Sequence, residues 1–391
     1  MDGGDTMTWT RRTFLAAAAA SVATQRLSAA KPSRSATQPL VYIGSTTQKP
    51  DDGIHVASFD SSTGTLSDLR LAATLIAPGF LAISKRPGAH CLYAGHNVAA
   101  DNHNGGLNAY RIDPSGDLTP INSIAVPAFD FVHTMLDQTQ RCLISASYNT
   151  GKVLSAKLAA DGRISEPVSQ FQLTGHGPIE SRQKSPHAHG VAVSPDNRFV
   201  LINDLGTDRI MIYRLDATTA VLKPSDPPFF AMTPGSGPRH LAFHPNGKWA
   251  YSVNELNSTL TLFHWNATAG TLTRIGDTPT LPPGDDVAKN RAGEVVISPD
   301  GKFLYSCDRG AVEDMLAYAI DSEGKLSLVT RLPLEGQEAR HFTLSPDGEW
   351  LLLARQFSND VTIYLRNPKT GELEQSSTHY PIDNASCVLF A

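Results

Sequence analysis

A unit of roughly 50 residues recurs along this chain from Leu40 onward, and it constrains the fold more than any other feature. Each copy contains an apolar strand, a turn of the Ser-Pro-Asp-Gly type, a second strand rich in β-branched and aromatic residues, and a third alternating strand. The segments His189–Asp196 and Arg239–Asn246 belong to consecutive copies; they have apolar residues at the same positions and differ at their first residue. A constant framework with one variable polar position indicates a scaffold that presents a site.

Seven copies of this unit fit into residues 40–391. Their second strands begin at Val41, Cys91, Cys142, Phe199, Trp249, Phe303 and Trp350. The period is typical of the four-stranded blades of a β-propeller. Turns such as Pro195–Asn197 and Pro299–Gly301 suit hairpins, because proline restricts φ and Asn or Gly accepts a positive φ. The sequence predicts an all-β fold, a single seven-bladed β-propeller of four-stranded blades; a pair of β-sandwiches is the alternative.

The two ends of the repeat region complement each other. The first copy lacks an inner strand before Val41–Ser45, and an additional strand, Ala385–Phe390, follows the last copy. If the C-terminal strand completes the first blade, the ring closes and no sheet edge stays open to pair with another chain. We therefore predict that the first blade is closed by the C-terminal strand.

The N-terminal residues have the features of an export signal. Arg11–Arg12 precede a short, mildly apolar segment, and Ser28–Ala30 provides small residues at the positions that a signal peptidase reads. The paired arginines resemble the twin-arginine signal of bacteria. This predicts a signal peptide over residues 1–30, a disordered leader over 31–39, the twin-arginine translocation machinery as a partner during export, and a periplasmic mature protein.

Composition argues against several other partners. The chain has 33 Lys and Arg against 38 Asp and Glu, a net charge of −5, whereas nucleic-acid binding needs a basic surface. After the N-terminus, no apolar run reaches the roughly 20 residues that span a bilayer. The four cysteines are far apart and form no CxxC pair, which indicates isolated buried thiols rather than zinc ligands. In an oxidising compartment, a disulfide between two of them is the alternative.

The first strands of the later blades carry polar residues at the end that faces the mouth of the channel. Counted back from the hairpin turns, one position holds His189, Arg239 and Arg340. A position two residues earlier holds His187 and Arg291. Two of the arginines are followed directly by His240 and His341. Their convergence predicts a local cationic site on an acidic protein, suited to a carboxylate or phosphate because arginine holds either through two parallel hydrogen bonds.

The same region contains candidates for proton transfer. His189 titrates near neutrality and is the candidate general acid or base. Glu255, after the second strand of blade 5, and Glu294, in the first strand of blade 6, are carboxylates expected to pair with Arg239 or Arg291. No Gly-x-Ser-x-Gly motif occurs in the repeats, which argues against a serine hydrolase. A lone His-x-His is weak support for a metal site, so the sequence predicts neither metal nor cofactor.

Several motifs resemble those of the seven-bladed propeller lactonase family, which includes the propeller-type 6-phosphogluconolactonases and carboxymuconate-lactonizing enzymes. These motifs are Ser185–Gly190, Asp204–Ile210, Gly237–His240, Tyr251–Leu256 and Ser298–Tyr305, and the resemblance covers Leu40 to Ala391. It implies cofactor-independent chemistry on a lactone that carries an anionic group. The family's catalytic residues match His189, Arg239 and Glu255, and its lactonizing branch adds Arg291. We expect a surrounding substrate-binding set of His187, His240, Glu294, Arg340 and His341.

The activity expected from this resemblance is hydrolysis of the ring ester of a sugar-acid lactone. His189 would act as general acid and base, with Arg239 and Arg291 on the anionic group. Ala292–Glu294 resembles the lactonase branch of the family, while Arg291 resembles its lactonizing branch. A lactonizing or cycloisomerising enzyme is therefore the second alternative. Propellers also serve as binding platforms, which leaves a non-catalytic periplasmic ligand-binding protein as the third alternative.

Overall fold

The computed structural model describes residues 38–97 and 105–391. Within these residues the chain forms seven four-stranded antiparallel sheets, one short helix α1 (Glu180–Gln183) and one 3-10 helix (Val287–Lys289). The predicted seven-bladed propeller of four-stranded blades is thereby confirmed. The predicted export signal over residues 1–30 and most of the predicted leader over 31–39 lie outside the described residues.

The strands are numbered in chain order. Blades 1 to 3 contain β1 (Leu40–Ser45), β2 (Gly53–Asp60) and β3 (Thr65–Thr74); β4 (Phe80–Arg86), β5 (Ala89–Asn97), β6 (Gly105–Ile112) and β7 (Leu118–Val126); and β8 (His133–Leu136), β9 (Cys142–Ser147), β10 (Lys152–Leu158) and β11 (Ile164–Gln172). Blades 4 and 5 contain β12 (Ala188–Val193), β13 (Phe199–Asp204), β14 (Arg209–Asp216) and β15 (Val221–Ala231); and β16 (Pro238–Phe243), β17 (Trp249–Asn254), β18 (Thr259–Asn266) and β19 (Thr271–Pro279). Blades 6 and 7 contain β20 (Asn290–Ile297), β21 (Phe303–Gly310), β22 (Asp314–Ile320) and β23 (Leu326–Pro333); and β24 (Ala339–Leu344), β25 (Trp350–Arg355), β26 (Asp360–Arg366) and β27 (Leu373–Pro381), followed by β28 (Ala385–Phe390).

The C-terminal strand closes the first blade, as predicted. The order of that sheet is β28-β1-β2-β3, with β28 in the place that β12 or β16 takes in its own blade. Val41 pairs with Phe390 and Gly44 with Cys387 in antiparallel register. The inner strand missing from the start of the repeat is thus supplied from its end.

Neighbouring blades pack through apolar faces and are locked by buried tyrosines. Phe59 of blade 1 meets Trp350 of blade 7 edge-on, with ring centroids 6.4 Å apart. The hydroxyl of Tyr251 donates to the carbonyl of Gly324 in the next blade at 2.6 Å. Such contacts recur because the β-branched and aromatic residues of each second strand alternate between the two faces of its sheet. They hold the inner strands in fixed positions around the channel.

The hairpin turns have the predicted chemistry. Asn197 has a φ of 60°, and Gly247, Gly301 and Gly348 occupy the same place in their blades with φ between 69° and 74°. Asn and Gly are the residues that adopt this conformation most readily. The turn signal in the sequence therefore marked the ends of the inner strands correctly.

The four cysteines are isolated, as the sequence indicated. Each is buried and unpaired: Cys91, Cys142, Cys307 and Cys387. Burial raises the pKa of the Cys307 thiol to about 12, so the thiol stays protonated and packs as a small apolar group. Among the described residues, no helix has the length and apolar character needed to cross a membrane.

A β-bulge near the start of the inner strands positions the side chains at the mouth of the channel. In β12 the register shifts by one residue and leaves His189 without a partner on the neighbouring strand. The same one-residue shift isolates Arg239 in β16 and Arg340 in β24, and in β20 it places Gly293 and Glu294 opposite the single residue Cys307. Because a bulge turns a side chain out of the ladder, each blade can present one residue to the channel.

Candidate active site

A cavity of about 340 Å³ occupies one end of the central channel, and its lining is divided by charge. The sector from α1 through blades 4 to 7 supplies five arginines and two carboxylates: Arg182, Arg239, Arg291, Arg309, Arg340, Glu255 and Glu338. Blades 1 to 3 supply mostly uncharged groups, including Thr46, Asn97, Phe131, Tyr148, Asn149 and Ser386, with Asp130 as the one acidic residue there. The structure thus brings the predicted arginines together in a cavity with a surplus of positive charge.

Glu255 follows β17 and is held by three arginines. Its carboxylate pairs with Arg182, with Arg309 at 3.0 Å and with Arg239 at 3.4 Å. Burial by itself raises the pKa of Glu255, but Arg309, Arg239 and Arg182 outweigh burial and hold the pKa at about 2. Glu255 is therefore ionised at neutral pH, where it orients guanidinium groups and carries no proton to transfer.

A second carboxylate, Glu338, pairs with the remaining arginines. It lies 2.9 Å from Arg291 and 3.8 Å from Arg340, and it also pairs with Arg309, which thereby links it to Glu255. Glu338 has a φ of 62°, a conformation that costs a residue other than glycine of order 1 kcal/mol. This backbone aims the carboxylate at three arginines at once.

His189 is buried and neutral beside this cluster. Its side chain lines the cavity, and the residue is only 2 % exposed. Burial, helped by the charge of Arg239, lowers the pKa of His189 well below its ordinary value. The imidazole is unprotonated at pH 7 and can accept a proton. Its Nδ1 has no hydrogen-bond partner within the described residues.

A floor of five side chains closes the cavity below His189: Phe80, His133, His240, Glu294 and His341. On its other side lies a largely apolar cavity of about 460 Å³, and within the described chain the linings of the two cavities share only Phe80. Three residues expected to bind substrate therefore lie in this floor and line the second cavity instead of the one beside His189: His240, Glu294 and His341. They lie at or beyond the bulge, where the strand has already turned down the channel. No three His, Cys, Asp or Glu side chains of the described residues form a metal-binding group.

His187, also expected to bind substrate, supports the wall of the cavity instead of lining it. Its ring stacks on that of Tyr148 at a centroid distance of 4.3 Å, and its Nδ1 is 2.8 Å from the backbone oxygen of Tyr148. Its backbone N–H donates to Asp204 at 2.7 Å. The side chain that reaches the cavity from this pair is Tyr148.

Besides Asp130, three charged residues of the site were missed in the sequence, and two of these three left a signal. Arg309 takes in blade 6 the position of Glu255 in blade 5. Each of them directly follows the residue, Asp308 or Asn254, that pairs with the start of the inner strand. Glu338 takes the position before the inner-strand alanine that His187 takes in blade 4. Arg182 lies in α1, in a connection outside the repeat, so no periodic signal marks it.

Comparison with known proteins agrees with this architecture. Residues 40–390 match the family described as "Lactonase, 7-bladed beta-propeller". A 6-phosphogluconolactonase of Bacillus subtilis is 32% identical over 356 residues, which cover 90% of this chain and 99% of that protein. A solved structure described as the periplasmic gluconolactonase of Pseudomonas aeruginosa has a TM-score of 0.83 at 29% identity, covering 90% of this chain and 99% of that one. A protein of Lactobacillus plantarum gives the same TM-score, identity and coverage. The chain therefore belongs to the seven-bladed β-propeller lactonase family and is a lactonase.

Proposed function

We propose that this lactonase hydrolyses the ring ester of a sugar-acid lactone that carries an anionic group. The observation that carries the proposal is the divided lining of the cavity, with arginines in one sector and amide, hydroxyl and aromatic groups in the other. Arginine binds carboxylate or phosphate, while amides and hydroxyls bind the hydroxyl groups of a sugar ring. The descriptions of the Bacillus subtilis and Pseudomonas aeruginosa relatives, a 6-phosphogluconolactonase and a gluconolactonase, support a substrate of this class.

Arg340 and Arg291 are the arginines best placed to bind the anionic group. Arg340 has Glu338 as its one ion-pair partner among the described residues, at 3.8 Å, so much of its hydrogen-bonding capacity is unused. Nε of Arg291 is buried without a partner in the described chain. Arg239, which the sequence assigned to the anion, is 2 % exposed and already donates to the carbonyl of Gly293 at 2.7 Å. Arg239 suits a negative charge that develops close to His189.

The reaction uses His189 as base and then as acid. His189 takes a proton from water while the water oxygen attacks the lactone carbonyl, and Arg239 stabilises the oxyanion of the tetrahedral intermediate. Collapse of that intermediate breaks the ring C–O bond, and the departing alkoxide takes the proton from His189. The product is an open-chain hydroxy acid, which ionises at neutral pH. Glu255 keeps its charge throughout and holds Arg239 in place.

The test compares lactones that differ in one substituent. Hydrolysis of gluconolactone and 6-phosphogluconolactone is followed by pH-stat with the wild type, His189→Ala and Arg340→Gln. We expect His189→Ala to lose about 10²–10⁴-fold in kcat, the range for a general acid–base residue. Arg340→Gln should raise KM for the phosphorylated lactone by about tenfold or more, since it removes a charge-assisted hydrogen bond, and leave KM for gluconolactone unchanged.

A surface arginine provides the matched control. Arg274 pairs with Asp277 on an outer strand, and Arg274→Gln should behave as wild type with both lactones. A high salt concentration should raise KM for the phosphorylated lactone only, because screening weakens attraction between exposed charges. Full activity of a folded His189→Ala protein would remove His189 from the mechanism. Equal KM values for both lactones in every variant would refute the anionic substrate.

We further propose that the protein is exported to the periplasm through the signal over residues 1–30. Arg11–Arg12 and the small residues Ser28–Ala30 support a twin-arginine signal, and the Pseudomonas aeruginosa relative is described as periplasmic. Replacing Arg11 and Arg12 by Lys should leave the protein in the cytoplasmic fraction at its full length. Unchanged recovery from the periplasmic fraction contradicts export by this route.

A further inference from the structure

A buried carboxylate–imidazole pair lies directly below His189, and the mechanism above does not use it. Oε1 of Glu294 is 2.7 Å from Nδ1 of His240. The same oxygen accepts the backbone N–H of Val295 at 3.0 Å, which fixes the carboxylate. Each of the two side chains belongs to a residue that is 5 % exposed. Glu294 reaches His240 because the two residues occupy equivalent places on the neighbouring inner strands β20 and β16.

This pairing determines which nitrogen of His240 carries the hydrogen. A carboxylate only accepts hydrogen bonds, and at 2.7 Å it is much closer to Nδ1 of His240 than Nη1 of Arg239 is at 3.4 Å, so Nδ1 is the protonated nitrogen and Nε2 is the acceptor. Nε2 of His240 is buried without a partner among the described residues, and so is Nδ1 of His189. Two buried nitrogens of neighbouring rings thus lack partners, one of them a determined acceptor.

The two rings are close enough to join these nitrogens. The centroids of His189 and His240 are 5.0 Å apart, with an angle of 66° between the ring planes. Two imidazoles that share an N–H···N bond of about 2.9 Å have centroids roughly 5 Å apart, since each nitrogen lies about an ångström from its own centroid. The distance between the two rings is therefore compatible with this bond.

We propose that Glu294 and His240 are positioning residues that act through His189. Glu294 keeps the hydrogen of His240 on Nδ1, and Nε2 of His240 accepts the hydrogen of His189 Nδ1. Nε2 of His189 is then the nitrogen that takes the proton from water. The carboxylate stabilises the imidazolium formed at that moment, as a carboxylate does for other catalytic histidines. The inference rests on the proposed function, in which His189 is the base.

The surroundings of His240 are compatible with this role. The other titratable groups that face it are Arg239, Arg309, Arg340, His133 and His341. Nη1 of Arg239 is 3.9 Å from Oε2 of Glu294, so a positive charge supports the carboxylate. Burial and the charge of Arg239 lower the pKa of His240 well below its ordinary value. A neutral His240 is the form that can accept a hydrogen bond at Nε2.

Kinetics of a double-mutant cycle test the proposal. Glu294→Gln keeps the shape of the side chain and loses the charge, and His240→Phe keeps the packing of the ring. Because neither residue touches substrate, each variant should lower kcat at least about tenfold with KM changed less than twofold. The double variant should be no slower than the slower single variant, since both substitutions interrupt one chain of contacts.

Nitrogen-15 spectra of histidine-labelled protein give a readout that a structural role would not move. In the wild type His189 should be protonated at Nδ1 and unprotonated at Nε2, and Glu294→Gln should shift the population toward the opposite tautomer. Signals are assigned with His189→Ala. If His240→Phe does not fold, Glu294→Gln and the spectra suffice to decide.

The possible failures are distinguishable. Wild-type kcat in Glu294→Gln, or a His189 protonated at Nε2 in the wild type, overturns the positioning role. When His189→Ala is inactive and Glu294→Gln is fully active, the proposed function stands and this inference is wrong. Full activity of His189→Ala means that the assigned base itself is wrong.

Discussion

Removal of the charge of Glu255 should destabilise the folded protein strongly at neutral pH. Its pKa lies at about 2 in the folded protein against an ordinary value of 4.5. At roughly 1.4 kcal/mol per tenfold change in proton affinity, this difference corresponds to about 3 kcal/mol of stability at pH 7. Glu255→Gln should lose about this amount, in line with the 3–5 kcal/mol or so typical of breaking a buried ion pair. Two of its three partners, Arg239 and Arg309, are themselves almost fully buried.

The pH dependence makes this prediction specific. Because the folded pKa lies below the unfolded one, the stabilisation is complete above pH 4.5 and disappears as the pH falls through 2. Urea unfolding of wild type and Glu255→Gln, followed by tryptophan fluorescence, should differ at pH 3 by under half of the difference at pH 7. The control is Glu323→Gln, which removes an exposed partner of Lys325 and should change nothing measurable. A loss below about 1 kcal/mol at pH 7, or an equal loss at both pH values, would refute the reasoning.

Two further predictions concern the ring and a second buried carboxylate. A chain that ends at Asn384 lacks β28 and exposes the edge of β1, so it should elute from size exclusion as aggregates; a folded monomer would contradict this. Burial raises the pKa of Asp308 to about 6, so ionisation of this side chain costs stability as the pH rises through 6. Asp308→Asn, which copies Asn254 of blade 5, should therefore stabilise the protein at both pH values, and the gain measured by urea unfolding should be about 1 kcal/mol larger at pH 7.5 than at pH 5. An equal gain at both pH values would count against this reasoning.

The fold could be predicted from the sequence because its signals are local and repeated. The turn residues at Asn197 and Gly301, and the surplus strand Ala385–Phe390, carry the number of blades and the closure of the ring. The same alignment of repeats located His189, Arg239 and Arg340, since each is the bulge residue of its own blade.

The depth of side chains in the channel was less predictable. Glu294 was expected beside the substrate, but it takes in β20 the place that His240 takes in β16, one residue beyond the channel-facing position, and its carboxylate lies in the floor. Arg182 comes from an irregular connection, where periodicity carries no information. The ion-pair network around Glu255 and Glu338 depends on contacts between blades, which a reading of one repeat at a time does not show.

The floor of the cavity determines how substrate and product reach and leave the site of this enzyme. It is formed by Phe80, His133, His240, Glu294 and His341. Among the described residues it separates the cavity beside His189 from the cavity on its other side, so we expect the substrate to enter and the product to leave on the side of His189. Ring opening adds a carboxylate, and the product therefore meets the five arginines with more negative charge than the substrate had. We therefore expect accumulated hydroxy acid to compete with fresh lactone for the cavity.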